Sequence, residues 1–381
     1  MKSQSKQHRP LRAVFLTPSL HIGGAERWIL SLARNFQSVQ PAAVVVCAPH
    51  YHATMLDQAA RLMPVYLARK VGDAGETRRL LERACITADV LISWGVPRLA
   101  RVSRNLVGRI ADPSGKIPVI DVSHSDGSWQ QQTKMVRGAA GGADFHVAVS
   151  RCAISAFPKE IRSRATVIYN GVEVDRVAPR RMRSADCGMR KERTALFLGR
   201  FEEVKGFDRL FEAARHLPKN WKIIAHGHGS LASKFRSPHS AIRIQLRPPV
   251  SHVGDVLAEA DALVMPSRHE GMPLTLIEAW LAGTPAVTTP FGFVREAFEM
   301  HGPTHGQLCE VVPQNPTGKQ LAAGITRAAE GKFVHAAREV AWNHYTAAAM
   351  AQRWEEYLYA AVGAHRRTQL SQKNRTSNTE H

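Results

Sequence analysis

The sequence predicts an α/β protein built from two doubly wound parallel-sheet domains. Short apolar runs, such as ALVM at residues 262–265, alternate along the chain with segments of helical periodicity. Such alternation is typical of parallel sheets covered by helices on both faces. A charged stretch with few apolar residues, 171–193, interrupts the alternation, and 381 residues exceed one typical domain. Two domains joined by a linker are therefore expected.

The first domain is expected at residues 12–170, behind a basic polar segment at 1–11. A strand at 12–16 leads through Gly23 and Gly24 into a helix at 26–36, and His124 follows a later strand. The remaining predicted elements are strands at 43–47, 65–67, 89–93, 118–122, 145–149 and 166–169, and helices at 52–62, 76–85, 98–109, 128–139 and 153–157.

The second domain is expected at residues 194–345, after the linker. Its predicted elements are strands at 195–198, 222–225, 242–246, 262–265 and 285–289, and helices at 206–217, 253–260, 274–281, 294–300, 317–330 and 336–344. A helix at 346–362 carries an apolar stripe with which it can pack back on the first domain. The polar tail, 363–381, is expected to be disordered.

The composition favours a cytoplasmic protein. No run of 18 apolar residues exists, and the apolar run behind the basic N-terminus is too short for a signal peptide. The cysteines are odd in number and contain no C-x-x-C pair, which favours reduced thiols. They are Cys47, Cys85, Cys152, Cys187 and Cys309.

The formal net charge of +19 is concentrated in the first half of the chain. Residues 1–183 hold 27 Lys and Arg against 13 Asp and Glu, whereas the remainder holds 24 against 19. Such a surface attracts anionic lipid or a phosphorylated substrate, although it can also serve solubility alone. No nucleic-acid-binding motif is present, so no nucleic-acid partner is expected. The arginines that recur on predicted helices are Arg78, Arg79, Arg83, Arg98, Arg101, Arg104 and Arg109.

Two glutamates flank a turn-to-helix junction at residues 265–283, MPSRHEGMPLTLIEAWLAG. Glu270 precedes the helix and Glu278 lies within it, where most other residues are apolar. A glutamate in such a helix is either paired or faces a cleft. Paired carboxylates first suggest a hydrolytic acid/base dyad. Gly23 and Gly24 lack the G-x-G-x-x-G dinucleotide pattern; they fit a helix N-terminus open to a phosphate or sugar, or a tight turn alone.

Several motifs resemble those of the retaining GT-B glycosyltransferases of family 4. The resemblance is strong at residues 199–206 (GRFEEVKG), in the E-x7-E pair of residues 266–283, and at 282–289 (AGTPAVTT). It is weaker at GGAE (23–26), His124 and YNGV (169–172). The resemblance implies two Rossmann-like domains facing across a cleft, with a nucleoside diphosphate sugar held mainly by the second.

The resemblance also implies a role for each matching residue. Glu278 would bind the ribose hydroxyls and Glu270 would lie by the donor sugar. The remaining donor residues would be Arg200 and Lys205 on the diphosphate, Gly23 and Gly24 in the donor pocket, His124 near the transferred sugar, and Gly271, Met272, Pro273 and Leu274 around the helix start. Two fixed cations can stabilise a leaving diphosphate, so neither a metal nor a further cofactor is expected. In this role the glutamates form a donor clamp instead of a hydrolytic dyad.

The predicted function is therefore retaining, metal-independent hexosyl transfer from a nucleoside diphosphate sugar. The acceptor would be a lipid-linked, lipopolysaccharide or polysaccharide glycan at the cytoplasmic membrane surface. Alternatives are a nucleotide-sugar epimerase or hydrolase on the same fold, and a non-catalytic sugar-nucleotide binder. The chain departs from the family pattern at His226 and His228, which could instead share a metal, and at Phe293, which would place a bulky side chain near the phosphate.

Overall fold

The structure is a computed structural model that describes residues 9–71, 73–94, 117–125, 143–178, 192–233 and 243–377. These residues divide into two compact units. The first holds the described residues up to Val149, Ala153–Tyr169 and those from Met350 onward; the second holds Ser150–Cys152 and Asn170–Ala349. Each unit is built on one parallel sheet, so the predicted α/β class with two Rossmann-like sheets is confirmed.

The sheet of the first unit is formed by β1 (Leu11–Thr17), β2 (Val39–Val46), β3 (Val65–Leu67), β4 (Val90–Trp94), β5 (Val119–Ser123), β6 (Phe145–Ala148) and β7 (Thr166–Val167). Their order is β3-β2-β1-β4-β5-β6-β7, with every pair parallel. The run Val44–Val46 is fully buried, as expected for β-branched residues in a sheet covered on both faces. The described helices of this unit include α1 (Gly24–Asn35), α2 (Ala53–Ala60), α3 (Ala74–Cys85) and α4 (Lys159–Arg162).

The sheet of the second unit is formed by β8 (Arg193–Leu198), β9 (Trp221–His226), β10 (Ile244–Arg247), β11 (Ala262–Met265), β12 (Ala286–Thr288) and β13 (Glu310–Val311). Their order is β10-β9-β8-β11-β12-β13, again all parallel. After residue 170, the described α-helices are, in chain order, α5 (Val174–Val177), α6 (Arg209–His216), α7 (Val253–Glu259), α8 (Leu274–Ala282), α9 (Gly292–His305), α10 (Gly318–Ala328), α11 (Val334–His344) and α12 (Ala347–Ser377). Most of α12 belongs to the first unit.

Each sheet reverses its strand order at one position, between β1 and β4 in the first unit and between β8 and β11 in the second. In open α/β sheets, ligands bind beyond the carboxyl ends of the strands at such a switch point. Gly23 and Gly24 follow β1. Residues 199–206 follow β8 and residues 266–273 follow β11. The topology therefore brings together two of the strong sequence motifs, which are separated by about sixty residues in the chain.

Most predicted elements are present, with ends that differ by a few residues. The predicted helix at 153–157 is a 3-10 helix, Cys152–Ala156, and the strand β13, which was not predicted, has only two residues. The predicted linker contains α5, and its residues 179–191 lie outside the described part of the chain. The helices predicted at 98–109 and 128–139 also lie outside it, as does Cys187.

The tail predicted to be disordered is helical as far as Ser377, which corrects the sequence interpretation. Residues 364–373 are mostly good helix formers and include no proline, so a helix that is already nucleated and packed can continue through them. The packed part contains Trp354, which contacts Trp28 of α1 with ring centroids 5.3 Å apart. Glu355 accepts hydrogen bonds from three consecutive backbone N–H groups, those of Gln37, Ser38 and Val39.

Within the described ranges, no helix combines the length and the apolar character needed to cross a membrane.

Candidate active site

The loop after β8 lies against the loop after β11. It contains a 3-10 helix, Glu203–Lys205, which ends at Gly206 with a φ of 69°. A β-carbon at position 206 would overlap the carbonyl oxygen of Pro266, so the approach requires glycine for both its backbone conformation and its size. This close approach places Lys205 beside the predicted donor residues.

Lys205 and Glu270 form a largely buried ion pair. The Nζ of Lys205 donates to both carboxylate oxygens of Glu270, at 2.7 and 2.8 Å, and the Ser267 hydroxyl donates to Oε1 at 2.9 Å. The Glu270 side chain is 8% exposed and that of Lys205 is 27% exposed. The structure thus brings together two residues whose predicted roles are on different parts of one donor. It also adds Ser267, which the sequence did not single out.

Arg200 extends from the end of β8 and is exposed. Within the described residues, its side chain forms no hydrogen bond and no ion pair. Its charge acts on Glu202, whose pKa is lowered first by the hydrogen bond from the Ser230 backbone and to a smaller extent by Arg200. The guanidinium is therefore a cation on the rim of this loop, and the structure shows no direct contact between it and Lys205 or Glu270.

Helix α8 begins at this junction without a side-chain cap. Its N-cap is Pro273, and the cap side chain accepts no hydrogen bond from the first turn. The first N–H groups of a helix lack intrahelical partners and favour negative charge. Leu274 supplies the first of them. This end of α8 can therefore receive an anionic group, as the resemblance implies for residues 271–274.

Met272, whose role beside the donor stays a prediction, is buried at 5% exposure, and its Sδ accepts the backbone N–H of Asn170 at 3.0 Å. Its side chain therefore packs inside the unit. The carbonyl of Gly271 also has a structural partner, the Ser150 hydroxyl at 2.9 Å. These contacts hold the turn before α8 in place.

Glu278 lies one helical turn further along α8 and is paired with an arginine. The Nε of Arg176 donates to Oε1 of Glu278 at 2.7 Å, and Nη1 of Arg176 donates to the carbonyl of Ser251 at 2.9 Å. The side chains are 3% exposed for Glu278 and 19% for Arg176. Among the described residues, none donates a hydrogen bond to Oε2 of Glu278. One oxygen of the predicted ribose anchor is thus occupied and the other is available.

A second arginine fixes the loop that carries Glu270. Arg268 forms a two-point pair with Asp208, with N···O distances of 2.7 and 2.8 Å. Although burial opposes the shift, these bonds and the charge of Arg268 lower the pKa of Asp208. The hydroxyl of Thr289 donates to the carbonyl of Ser267 at 2.5 Å. Asp208, at the start of α6, and Thr289, directly after β12, thereby hold the loop from two sides.

The departures from the family pattern have structural explanations. His226 ends β9, is 8% exposed, and its Nδ1 bonds the carbonyl of Pro248 at 2.9 Å. Within the described part of the chain, no three His, Cys, Asp or Glu side chains are arranged to hold a metal ion. Phe293 is fully buried and packs against Trp280 and Tyr345. The predicted intrusion of Phe293 toward a phosphate is therefore wrong, because the side chain belongs to the core.

In the first unit, the two glycines form the turn from β1 into α1. Gly23 is the N-cap of the helix, and a β-carbon there would overlap the Oε2 atom of Glu26. Glu26 is 7% exposed and accepts the Ser19 hydroxyl at 2.9 Å. With glycine at position 23, the Glu26 carboxylate can fold back over the helix start.

His124 follows β5 and lies between two tryptophan rings. Its ring centroid is 4.8 Å from that of Trp28 and 5.6 Å from that of Trp94. Its Nε2 is buried and has no hydrogen-bond partner in the described part of the chain. Burial lowers the pKa of His124 to about 3, so the imidazole is uncharged at neutral pH.

Sequence reasoning missed Arg176, because residues 171–193 have the composition of a linker. One signal was available: a glutamate inside an apolar helix needs a cation, and a basic residue shortly after the YNGV motif could provide one. Nothing in the chain order indicated which of the many arginines it would be.

Comparison with known sequences is informative for part of the second unit. Residues 192–330 match the family model described as glycosyl transferases group 1. The D-inositol 3-phosphate glycosyltransferase of Mycobacterium bovis (strain BCG / Pasteur 1173P2) is 32% identical over 145 residues, which cover 34% of this chain and 30% of that protein. The chain spans between 30% and 43% of the length of the first curated relatives it matches.

Solved structures resemble nearly the whole chain. The crystal structure of Anabaena Alr3699/HepE in complex with UDP-glucose has a TM-score of 0.75 at 17% identity, covering 92% of this chain and 100% of that one. WaaG, a glycosyltransferase involved in lipopolysaccharide biosynthesis, has a TM-score of 0.65 at 15% identity, covering 91% and 100%. The fold of this chain is therefore of the GT-B type, and its residues 192–330 carry the sequence pattern of the group 1 glycosyl transferases.

Proposed function

We propose that this chain is a retaining glycosyltransferase that moves a hexosyl group from a nucleoside diphosphate sugar to a glycan acceptor. The observation that carries the proposal is the arrangement of Lys205, Glu270 and Glu278 around the uncapped start of α8. These residues lie at a switch point of the second sheet, inside the region that matches the group 1 family. UDP-glucose in the complex of the similar HepE supports a nucleotide-sugar donor.

Each part of the donor has a chemically suitable partner in the proposal. Oε2 of Glu278 accepts a ribose hydroxyl, and Glu270 lies by the donor sugar. Lys205, Arg200 and the N–H groups at the start of α8 bind the diphosphate. Gly23, Gly24 and His124 of the first unit take the roles that the family resemblance implies, in the donor pocket and near the transferred sugar.

The proposed reaction breaks the bond between the anomeric carbon and the diphosphate oxygen. Positive charge develops on the sugar and negative charge on the leaving phosphate, which the Lys205 ammonium and the Arg200 guanidinium stabilise. The departing phosphate can accept the proton of the acceptor hydroxyl as the new bond forms on the same face. This route needs neither a second carboxylate base nor a metal ion, and it explains why Glu270 and Glu278 need not act as a hydrolytic dyad.

The proposed acceptor is a lipid-linked, lipopolysaccharide or polysaccharide glycan at the cytoplasmic face of a membrane. The excess of basic residues in the first half supports the proposed membrane location. Three of these residues, Arg78, Arg79 and Arg83, are exposed on α3. The other arginines of the predicted basic helices, at 98–109, lie outside the described residues. Equal binding to vesicles with and without anionic phosphatidylglycerol would contradict the membrane location and leave the transferase intact.

A turnover assay tests the proposed reaction. The purified chain is incubated with UDP-, GDP-, ADP- and TDP-sugars, with and without lipid-linked glycan acceptors, and both the released nucleotide and the glycosylated product are measured. We expect release that depends on the acceptor. Lys205→Met should lower kcat/KM by roughly 10²- to 10³-fold, the usual loss when one donor to a developing anion is removed.

Lys222→Met is the matched control, because Lys222 forms an exposed ion pair with Glu192 at 2.6 Å outside the site. It should leave turnover unchanged. Release of nucleotide without acceptor would favour the hydrolase or epimerase alternative, and the absence of any turnover would favour a sugar-nucleotide binder. Equal activity of Lys205→Met and wild type would contradict the site assignment.

A further inference from the structure

Arg176 is the one arginine in the described part of the chain that bonds to a predicted donor-contacting carboxylate. It lies on α5, a four-residue helix outside the three strong family motifs. Its guanidinium contacts two different elements: Oε1 of Glu278 on α8, and the carbonyl of Ser251 in the loop between β10 and α7. The arginine therefore links the predicted ribose anchor to the loop that follows the edge strand.

The two contacts fix both the position and the plane of the guanidinium. Nε and Nη1 are held by acceptors that belong to different elements, at 2.7 and 2.9 Å. A planar guanidinium bonded at two of its nitrogens cannot rotate without losing one bond. Because Nε bonds Oε1 of Glu278, the carboxylate plane is also constrained and Oε2 is kept as the acceptor that remains.

Burial makes this pairing important for the position of Glu278. Its side chain is 3% exposed, and a buried carboxylate is costly unless it is paired and hydrogen-bonded. Removing Arg176 would leave the carboxylate without its partner, so the side chain would be free to turn away. Oε2 would then no longer be held in position to accept a hydroxyl group.

The packing of α5 does not depend on Arg176 alone. Val177 is 3% exposed, and a β-carbon on Gly254 at the start of α7 would lie 2.6 Å from the Val177 carbonyl oxygen. The backbones of α5 and α7 are therefore in close contact through the neighbouring residue. A substitution at Arg176 can remove the guanidinium while this contact holds the helix in place.

We propose that Arg176 is a positioning residue for nucleotide recognition, which orients Glu278 so that Oε2 accepts a ribose hydroxyl of the donor. The inference rests on the proposed function. It adds that recognition of the ribose depends on a residue that acts through Glu278, and that the carbonyl of Ser251 helps to hold this residue in place.

Discrimination between ribose and dideoxyribose separates positioning from general structural damage. Binding of UDP, GDP, ADP and TDP, and of the analogue of each that lacks the 2′ and 3′ hydroxyls, is measured by calorimetry on wild type, Arg176→Gln, Arg176→Lys and Arg327→Gln. Arg327 is the matched control, because it pairs with Glu310 at 2.6 and 2.8 Å on another part of the same unit. For wild type we expect the ribonucleotide to bind at least tenfold more tightly than its dideoxy analogue.

Arg176→Gln should reduce that ratio severalfold by weakening only the ribonucleotide. Arg176→Lys, which retains the charge but loses the planar two-point contact, should give an intermediate ratio, and Arg327→Gln should match wild type. If Arg176→Gln does not fold, the ratio for Arg176→Lys decides, and a wild-type ratio there overturns the proposal. Equal weakening of both nucleotides, or no change in the ratio, overturns it as well.

Failure of the proposed function has a different signature. If wild type binds none of UDP, GDP, ADP and TDP, the nucleotide-sugar assignment fails and the inference falls with it. If wild type binds and discriminates but the Arg176 variants discriminate equally, only the role of Arg176 is wrong.

Discussion

Burial shifts the pKa values of Asp121, which lies within β5, and of His124, which follows this strand, in opposite directions. Burial raises the pKa of Asp121 to about 7, against a smaller opposing effect of a hydrogen bond from the backbone of Val122, and burial lowers the pKa of His124 to about 3. Both shifts favour the uncharged form of the side chain. Their effects on stability therefore have opposite signs as the pH changes.

The pH dependence of unfolding should reveal this opposition. Between about pH 4 and pH 7, folded Asp121 retains a proton that the unfolded chain releases, so its contribution to stability falls as the pH rises. Between about pH 3 and pH 6.5, unfolded His124 binds a proton that the folded state excludes, so its contribution rises with pH. Each slope is at most about 1.4 kcal/mol per pH unit.

Chemical denaturation of wild type, Asp121→Asn and His124→Gln at pH 4.5, 5.5 and 6.5 checks this expectation. Relative to wild type, the free energy of unfolding of Asp121→Asn should increase with pH, and that of His124→Gln should decrease. If the free energy of unfolding of each variant differs from that of wild type by the same amount at all three pH values, neither pKa is shifted as the structure indicates.

At this scale the sequence identifies residues better than it identifies their partners. The importance of Glu278 was predictable, because a glutamate in an apolar helix is either paired or faces a cleft. Its partner Arg176 was not, because pairing across about a hundred residues depends on how α5 packs. Phe293 was misjudged for the same reason: its position in the chain is next to a family motif, but its ring points into the core against Trp280.

At the scale of elements, the two loops at the switch point of the second sheet depend on a single glycine. Gly206 has a left-handed backbone, and any side chain there would overlap Pro266. Gly302, within α9, has no neighbouring heavy atom within 4 Å of an added β-carbon. Gly206 therefore serves as a test position and Gly302 as a control position in the same unit.

Gly206→Ala should destabilise the second unit by more than about 1 kcal/mol, because the left-handed conformation and the overlap both oppose alanine. Gly302→Ala should be neutral or stabilising by up to about 1 kcal/mol, since alanine is the better helix former. Thermal unfolding measures both. Similar melting temperatures for the two variants would contradict the close approach of the loops.

One carboxylate of the final helix, that of Glu355, bonds the backbone of the first unit at several points. Glu355 accepts the N–H groups of residues 37–39, whereas its neighbour Glu356 bonds only Gln352 among the described residues and is exposed. Hydrogen bonds to a charged group contribute more than neutral ones. The contact also ties the end of α1 to the start of β2.

Glu355→Ala should lower the free energy of unfolding by about 2–4 kcal/mol, because three backbone donors lose a charged acceptor. Glu356→Ala should change it by less than about 0.5 kcal/mol, as is usual for exposed positions. Urea denaturation followed by circular dichroism compares the two. An equal effect would mean that the Glu355 contacts do not stabilise the helix.

Strands and helices were largely predictable because apolar runs and helical periodicity agree with the buried positions. The element ends were less accurate where packing decides them. Strand β13 contains two residues inside the short apolar run LCEVV, at 308–312, and its extent is defined by pairing with β12. Helix α12 extends beyond 362 because cooperative propagation from a packed start extends a polar sequence that composition alone would leave disordered.

At the scale of the molecule, the excess of basic residues and the ion pairs of the candidate site lie in different parts of the chain. The basic excess lies in the first half of the chain, whereas the pairs of Lys205 with Glu270 and of Arg176 with Glu278 lie in the second unit. The fold class was predictable from repeated patterns in the sequence, and short motifs indicate where the proposed donor residues lie. No comparable motif in the sequence indicates the acceptor.

Nucleoside diphosphate binding tests the central claim most directly. A ligand that binds only the folded state raises stability by about 2.7 kcal/mol at a hundredfold excess over its Kd. We predict that at least one of UDP, GDP, ADP and TDP raises the Tm of wild type in a concentration-dependent manner, and that the shift is reduced in Lys205→Met and retained in Lys222→Met. No shift with any of the four at millimolar concentration, or an undiminished shift in Lys205→Met, would contradict the account.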